Sequence, residues 1–336
     1  MATLSTNNPT LADVAKRTDP DGQIAPIVEI LNETNPILED MTFVEGNLAT
    51  GHRTTVRTGL PTPTWRKLYG GVQPTKSTTA QVTDNTGNLE AYAEVDKDLA
   101  DLNGNTAAFR ISEDRAHIEG MNQEMASTIF YGNEGAEPAE FTGIAPRFNS
   151  LSAANGGNIV NGGSVAGQTD NTSIYLVVWG PNTVHGIYPK GSKAGLTMTD
   201  KGQVTIENVA GEGGRMEAYR THYKWQAGLS VRDWRYLVRV ANIDVSALTD
   251  SGTAVDATKA LIRLMVQASE KIPQLGMGRP VFYMNRTLRT NLRLGILEKI
   301  ANNLSWENVA GKRVMVFDDI PVRTTDAILN TEARVV

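Results

Sequence analysis

The stretch TGHRTTVRTGLPTPTWRKL, residues 50–68, lies in a region of the chain that carries charge of a single sign. Residues 47–83 contain no carboxylate, and their cations are Arg53, Arg57, Arg66, Lys67 and Lys76. The region is rich in Thr, Gly and Pro and poor in core-forming residues, which favours extended strands and turns over helix. Because such a segment cannot bury a core of its own, we interpret it as an extended arm.

The next segment, residues 84–101, has the opposite charge, with six carboxylates against one lysine. Adjacent segments of opposite sign allow many copies of a chain to recognise one another electrostatically. We therefore expect the five cations of the arm to meet carboxylates of a neighbouring subunit. The carboxylates that we expect at this contact between subunits are Glu94, Asp96 and Asp98.

Several segments resemble, in this order, the major capsid proteins of tailed bacteriophages, in particular a short podovirus-like group. After residues 50–68, they are LEAYAEVDKDLADLNGN (89–105), FRISEDRAHIEGMNQEMASTIFYGN (109–133), FTGIAPRF (141–148), TSIYLVVWGPNTVHGIYPKGSKAGL (172–196), YKWQAGLSVRDWRYLVRVANID (223–244) and GRPVFYMNRTLRT (278–290). Each segment alone is a weak signal, but the ordered set is specific and covers nearly the whole chain.

The resemblance implies an α+β chain with the Hong Kong 97-type capsid fold. Its expected parts are an N-terminal arm (1–45), an extended β-hairpin called the E-loop (46–101), a peripheral domain (102–250) with a spine helix (112–131) and sheet strands, an axial domain (251–325) and a C-terminal segment (326–336). In many capsid proteins of this fold the axial helix and strand precede the paired peripheral strands, whereas here they follow them. Both the usual connectivity and a rearranged one are therefore open.

Composition excludes several classes of protein. The 336 residues are 40% hydrophobic and 21% charged, and they contain no apolar run near the ~18 residues of a membrane span and no apolar core of a signal peptide. The absence of cysteine excludes disulfides, thiolate metal sites and cysteine nucleophiles. A net charge of −5 argues against a general nucleic-acid binder, because such proteins neutralise phosphates with Lys and Arg.

The first half of the chain predicts few long elements. Residues 13–16 allow one helical turn, and apolar residues recur near two prolines around residues 27–38. This N-terminal segment is either a helix docked on the protein's own core or an arm. The resemblance favours the arm. Ser112, followed by two carboxylates, predicts a helix start. The apolar residues Ile118, Met121, Met125 and Ile129 then predict one buried face of a helix that ends at Gly132.

Strand patterns follow in the middle of the chain. Residues 149–173 are rich in Gly, Asn and Ser and predict a surface loop, and residues 174–179 predict a buried strand. Residues 219–225 and 234–240 predict a second pair of strands. In the second of these strands, positions with apolar side chains alternate with positions of mixed polarity, which is typical of a half-buried strand in an antiparallel sheet.

The last third predicts helix, strand and helix, followed by a strand pair. Asp256 is the expected cap of an amphipathic helix that ends at Ile272-Pro273. Residues 280–284 form an apolar strand, and Asn285 is the expected cap of the next helix. Residues 314–317 and 320–323 then predict two strands joined by a turn at Asp318 and Asp319.

No recognisable catalytic or metal-binding motif is present. The four histidines lie far apart in sequence and outside any H-E-x-x-H pattern, so we interpret them as structural. The glycines in GEGGR (211–215) lack the G-K-[ST] of a phosphate loop, and Asp318 and Asp319 are adjacent residues that fit a turn better than an acid/base pair. We therefore expect no enzymatic activity, no metal and no cofactor.

Three functional classes can be compared. An enzyme needs convergent titratable residues, and a tail or receptor-binding protein shows repeats or β-solenoid patterning. A shell subunit needs an extended charged arm and no active site, and this description fits the chain. We predict a major capsid protein that self-assembles into the icosahedral shell enclosing the double-stranded DNA genome of a tailed bacteriophage.

The resemblance also implies partners. The chain is expected to bind itself in hexamers and pentamers, with a scaffolding protein and a portal as further partners, and a decoration protein is an open alternative. Assembly is expected in the bacterial host cytoplasm, with an uncleaved chain and non-covalent joining, because nothing near Lys67 or Lys76 marks the acid and asparagine that isopeptide formation needs. The triangulation number and the host stay open.

Overall fold

The computed structural model describes residues 33, 35–102, 106–165, 167–209, 214–249, 254–297, 304–309 and 312–336. Most of the expected N-terminal arm, including the helical turn predicted at residues 13–16, lies outside the described residues. In chain order, the strands are β1 (Phe43–Glu45), β2 (Gly51–Gly59), β3 (Thr78–Asn85), β4 (Gly87–Asp96), β5 (Ile159–Asn161), β6 (Asn171–Trp179), β7 (Val184–Tyr188), β8 (Leu196–Val209), β9 (Gly214–Val231), β10 (Leu237–Asp244), β11 (Arg279–Met284), β12 (Leu304–Val309), β13 (Lys312–Phe317) and β14 (Ile320–Thr324).

Three helices exceed two turns: the long helix (Thr106–Tyr131), Ala254–Glu270 and Arg286–Leu297. Single-turn helices and short 3₁₀ segments connect the remaining elements: Ile37–Asp40, Lys97–Ala100, Ile144–Arg147, Val245–Thr249, Gly156–Asn158, Trp234–Tyr236 and Leu275–Met277. Within the described residues, no helix is both long enough and apolar enough to cross a membrane.

The chain divides into two compact units. The first unit comprises Met1–Thr34, Asn88–Ala126 and Gly195–Gln226, and the second comprises Asn35–Gly87, Ser127–Ala194 and Ala227–Val336.

The second unit is built around β6, whose nine residues are all buried. β6 pairs antiparallel with both β10 and β11, β11 pairs parallel with β14, and β13 lies between β14 and β12. A strand covered on both faces reads as a continuous apolar run rather than an alternating one, which is the pattern of IYLVVW in the sequence. The prediction of a buried strand at residues 174–179 is confirmed.

Two amphipathic helices cover one face of this sheet. Leu261 and Met265 of Ala254–Glu270 and Leu288 and Leu292 of Arg286–Leu297 repeat at a spacing of four and are buried with the strands in one core. Asn285 caps the second helix as predicted, since its side-chain oxygen accepts the backbone N–H of Leu288 at 2.9 Å. The cap predicted at Asp256 is wrong, because the first helix already begins at Ala254.

A second face of the sheet is covered by the end of the chain. Glu332 is buried and accepts hydrogen bonds from Arg239 at 2.8 Å and from the Tyr131 hydroxyl at 2.5 Å, and it also accepts from the Ser173 hydroxyl. The prediction that β10 is half-buried is therefore wrong. Its charged residue Arg239 is 4% exposed because this carboxylate compensates the charge there.

The long β2–β3 hairpin belongs to the second unit. Its antiparallel register runs from the pair Gly51 and Asn85 to the pair Gly59 and Thr78. Residues 60–77, which we call the hairpin tip, form neither helix nor strand. Gly51 is needed at the base, since a Cβ there would lie 2.2 Å from the carbonyl oxygen of Asp84. The extended arm predicted from the composition of this region is confirmed as a hairpin.

The first unit contains the long helix as far as Ala126, nearly all of β4, the strand β8, and β9 as far as Gln226. β9 pairs antiparallel with β8 and neighbours β4. Ala93, Met121 and Tyr223 form one small core, and Val95, Ala100 and Phe109 form another.

The long helix begins six residues earlier than predicted. Ser112 lies inside it rather than at its start, because burial of Phe109 continues the apolar face toward the N-terminus. Met121, Met125 and Ile129 are buried as expected, whereas Ile118 is 39% exposed. Tertiary contact thus overrides the local start signal of a serine followed by two carboxylates.

Three further local predictions have mixed outcomes. The region 149–173 is only partly a surface loop, because it contains β5 and the first three residues of β6, all three of which are buried. The strands predicted at 219–225 and 234–240 exist but do not pair with each other, since β9 pairs with β7 and β8. The turn at Asp318 and Asp319 is confirmed: both residues are exposed and have positive φ angles of 46° and 63°, as in a two-residue hairpin turn.

Candidate subunit-contact surface

The five cations predicted at the contact between subunits lie on the β2–β3 hairpin and are all exposed. Arg53 and Arg57 lie on β2, and Arg66, Lys67 and Lys76 lie in the hairpin tip. Arg53 donates to the Thr83 hydroxyl at 3.2 Å. No carboxylate within the described ranges lies at ion-pair distance from any of the five.

The hairpin tip also exposes large apolar side chains. Trp65 and Tyr69 are fully exposed, and the remaining apolar side chains of the tip that are more than half exposed are Leu60, Leu68 and Val72. A cluster of this size on a folded protein marks a surface that another molecule covers. Sequence reasoning identified the charge of this segment and overlooked its apolar component, although Leu60, Trp65, Leu68 and Tyr69 are visible in the sequence.

The acidic segment that follows is largely neutralised within the first unit. Glu94 forms an ion pair with Arg220 at 2.6 Å, and Glu90 lies 3.2 Å from both Lys224 and His222. Hydrogen bonds from Lys224 and then His222 hold the pKa of Glu90 below its ordinary value. The sequence carries the signal for this pairing, since Arg, His and Lys alternate on β9 at positions 220, 222 and 224.

The other two predicted carboxylates differ from each other. Asp96 accepts the backbone N–H groups of Asp98 and Leu99 at 2.9 and 3.3 Å and so caps the helix Lys97–Ala100. Asp98 is exposed. The structure therefore gives Glu94 and Asp96 partners inside the chain, and contact with another subunit remains a prediction for all eight residues.

The base of the hairpin is fixed by a buried ion pair. Arg147 contacts the Asp84 carboxylate at 2.8 Å and donates to the Leu229 carbonyl at 3.0 Å. His52 and His185 meet edge to face beside it, with ring centroids 5.8 Å apart. Burial, reinforced by the charge of Arg232, lowers the pKa of His185 to about 4, so this imidazole is neutral at pH 7. The hairpin thus has a fixed base and an uncovered tip.

The other histidines also lie in packed or paired surroundings. His117 stacks on Tyr223 and His222 on Tyr92, with centroids 6.2 and 4.5 Å apart. In the part of the chain that the structure describes, no group of three or more His, Asp or Glu side chains is arranged to hold a metal ion.

The sequence matches the family model of major capsid protein GP7 over residues 19–336. The chain belongs to this family. It is 40% identical to a chain in the cryo-EM structure of bacteriophage Epsilon15, covering 100% of this capsid protein and 99% of that chain with a TM-score of 0.79. None of the curated proteins matches the sequence.

Two more distant structures share part of this likeness. A chain of the bacteriophage JBD30 capsid is 10% identical over 89% of this capsid protein and 93% of that chain, with a TM-score of 0.48. A chain of the holo-SrpI encapsulin complex from Synechococcus elongatus PCC 7942 is 14% identical over 70% and 97%, with a TM-score of 0.43.

This protein is thus a major capsid protein of a tailed bacteriophage, and the predicted Hong Kong 97-type α+β fold is confirmed. The β2–β3 hairpin falls within residues 46–101, which the resemblance assigned to the E-loop, and the long helix includes residues 112–131, which it assigned to the spine helix. These two assignments remain predictions. Its role is structural and requires contact between copies of the chain.

Proposed function

We propose that this capsid protein joins its neighbours through the hairpin tip, which lies across the surface of an adjacent subunit. The observation that carries the proposal is the combination of uncompensated cations and fully exposed aromatic side chains in residues 60–77. Within one described subunit neither group is covered. The exposed aromatic side chains and the cations both gain favourable contacts when a second subunit supplies apolar surface and carboxylates.

The energetics favour many weak contacts over a few strong ones. Burying one large side chain contributes about 1.5–3 kcal/mol, whereas an exposed ion pair contributes about 0–1 kcal/mol. The aromatic residues of the tip therefore supply affinity, and the cations set orientation and partner choice. Repeated around a closed shell, such contacts define its geometry.

The wider proposal concerns the assembled particle. The subunits form hexamers and pentamers of an icosahedral shell around double-stranded DNA, with no sequence-specific contact to it and no enzymatic activity. The net charge of −5 supports a wall that does not adhere to its contents. A scaffolding protein and a portal are the further partners, a decoration protein is an open alternative, and assembly takes place in the host cytoplasm.

A quadruple charge reversal tests the role of the tip. Arg53→Glu, Arg57→Glu, Arg66→Glu and Lys67→Glu in one chain should block or misdirect assembly and leave the subunit folded. The matched control exchanges Arg for Lys and Lys for Arg at the same four positions, which keeps the charge. Circular dichroism reports folding and negative-stain microscopy reports particles. Normal particles from the reversed variant would contradict the proposal.

We also propose that residues 251–325 form the axial domain and surround the five-fold and six-fold axes. Because the same domain must fit into rings of five and rings of six subunits, it requires a rigid lobe with adjustable connections. The candidate hinge among the described residues is the turn Gly276–Gly278, whereas Gly252 and part of 302–312 lie outside them. The expected rigid core is Leu261, Leu264, Met265, Val281, Tyr283 and Leu288. Independent copies in one particle should superpose on these residues and differ in the connections.

A further inference from the structure

Two histidines lie where the β2–β3 hairpin meets β7. His52 on β2 and His185 on β7 meet edge to face, with ring centroids 5.8 Å apart. His52 is paired across the hairpin with Asp84, and His185 is paired across the sheet with Ser230. The exposed fractions are 9% for His52, 4% for Asp84 and 0% for the other two. The attachment of the hairpin therefore includes a buried group of titratable side chains.

The hydrogen bond of His52 requires its neutral form. Its Nδ1 atom accepts the backbone N–H of Asn47 at 3.3 Å, so the proton of the neutral ring is on Nε2. A second proton would have to bind Nδ1, where it would face the Asn47 N–H as donor against donor. Asn47 fixes the start of the hairpin, because its side chain exchanges two hydrogen bonds with the backbone of Arg53, each at 2.7 Å. Protonation of His52 therefore breaks a contact that positions β2.

His185 lacks the contacts that would stabilise a charge on its ring. Neither ring nitrogen completes a hydrogen bond with a described residue, and the same holds for the hydroxyl of Ser230 opposite it. The Asp84 carboxylate and the Gly180 carbonyl favour a proton on the ring, but burial and the positive charge of Arg232 outweigh them and lower the pKa of His185 to about 4. A charged imidazole is therefore disfavoured while the base of the hairpin is closed.

The surroundings of the two imidazoles are already cationic. Asp84 is compensated by Arg147, whose guanidinium lies 2.8 Å from its carboxylate. The charge of Arg232 lowers the pKa of both histidines. Arg232 is held in place, since it donates to the Pro181 carbonyl at 2.8 Å and to the side-chain oxygen of Asn182 at 3.2 Å. Protonation of both rings would place four cations around one carboxylate, mostly out of contact with water.

We propose that His52 and His185 form an acid-sensitive latch, which holds the base of the hairpin on β7 while both rings are neutral and releases it when they are protonated. Release admits water to both rings and separates the charges. The strands around β6 stay paired, because the contacts of β6 with β10 and β11 include neither histidine. The pH thus controls how firmly the hairpin is attached, whatever surface its tip binds.

The direction of the pH effect follows from the two pKa values of each ring. The pKa of His185 is about 4 in the closed base and returns to about 6.5 when water reaches the ring. Burial is also the largest cause that lowers the pKa of His52. Both contributions to attachment are therefore complete above pH 6.5 and are lost as the pH falls. From His185 alone, we expect the ratio of released to attached hairpin to rise about tenfold between pH 6.5 and pH 5.

Hydrogen exchange of unassembled subunits, read by mass spectrometry and corrected for the intrinsic effect of pH on exchange, tests the latch. Two amides report on the base: Gly46 donates to the Tyr188 carbonyl at 2.8 Å, and Lys190 donates to the Leu48 carbonyl at 3.2 Å. Their protection should fall about tenfold between pH 6.5 and pH 5, whereas the amides of β6 should keep theirs. Constant protection at the base would overturn the inference. Equal loss in β6 would also overturn it, because acid would then unfold the unit as a whole.

Variants assign the effect to the two rings. In the double variant His52→Gln with His185→Gln, protection of the base should no longer change over this pH range, and each single variant should give an intermediate change. His117→Gln is the matched control, because that ring stacks on Tyr223 of the first unit, and it should behave as the unaltered chain does. Circular dichroism establishes that each variant is folded, and the single variants decide the matter if the double variant is not. An undiminished pH effect in the folded glutamine variants would overturn the inference.

Discussion

Replacing Glu332 by alanine would remove the only carboxylate among the described residues that forms an ion pair with the buried Arg239. The two side chains are 5% and 4% exposed, and their atoms approach to 2.8 Å. Arg239 would retain hydrogen bonds to the carbonyls of Ala145 and Phe148, at 3.2 and 2.8 Å. Its charge would nevertheless lose its counterion in a site that water does not reach.

Loss of one partner of a buried ion pair costs about 3–5 kcal/mol. Because the carbonyl contacts remain, we expect the lower end, about 3 kcal/mol, which is a large fraction of the roughly 5–15 kcal/mol that stabilises a typical domain. The Tyr131 hydroxyl would also lose its acceptor. Replacing both partners, as Arg239→Met with Glu332→Leu, should recover most of this loss because no charge is then left buried.

Urea unfolding of unassembled subunits, followed by tryptophan fluorescence, measures the difference. Asp256→Asn is the control, because its ion pair with Lys259 is exposed and should contribute less than about 1 kcal/mol. If Glu332→Ala changes the free energy of unfolding no more than the control does, the buried pair does not hold the end of the chain as described.

The remaining predictions concern pH, capping and covalent state. The pKa of His185 is about 4 in the folded state and 6.5 in the unfolded state, so the unfolded chain binds the proton more readily. The free energy of unfolding should therefore be unaffected by His185 above pH 6.5 and should fall by about 3 kcal/mol as the pH decreases toward 4. The variant His185→Gln should show a weaker dependence of the unfolding free energy on pH over that range. Asn285→Ala should cost about 1–2 kcal/mol in the same urea assay, because the cap of the helix Arg286–Leu297 is lost. Boiled particles should give one band at the monomer mass in gel electrophoresis, and a ladder of covalent multimers would contradict the prediction of non-covalent joining.

Sequence patterns were most informative where one physical cause dominates. The continuous apolar run of β6, the Asn285 cap and the charge of the β2–β3 hairpin each follow from a local signal, and each matches the structure. The resemblance supplied the overall fold, which local patterns alone would not have given. Asp318 and Asp319 were placed in a turn because adjacent residues on a strand point to opposite faces, so two adjacent carboxylates do not form an acid/base pair.

Predictions failed where distant residues decide the outcome. The half-buried assignment of β10 treated Arg239 as a solvent-facing residue, and only the position of Glu332, 93 residues further on, explains its burial. The partners of the β4 carboxylates on β9 were missed because the two strands lie more than a hundred residues apart in sequence, and the contact of these carboxylates with another subunit remains a prediction.

The buried strand β6 has a consequence for synthesis of the chain. Its partners β10 and β11 and its cover at Glu332 all follow it, and Glu332 comes 161 residues after Asn171. At translation rates of about 5–20 residues per second, nine residues that end up fully buried stay without their final cover for roughly 10–30 s after they are made. Exposed apolar surface on this segment favours aggregation during that interval, independently of how stable the finished fold is.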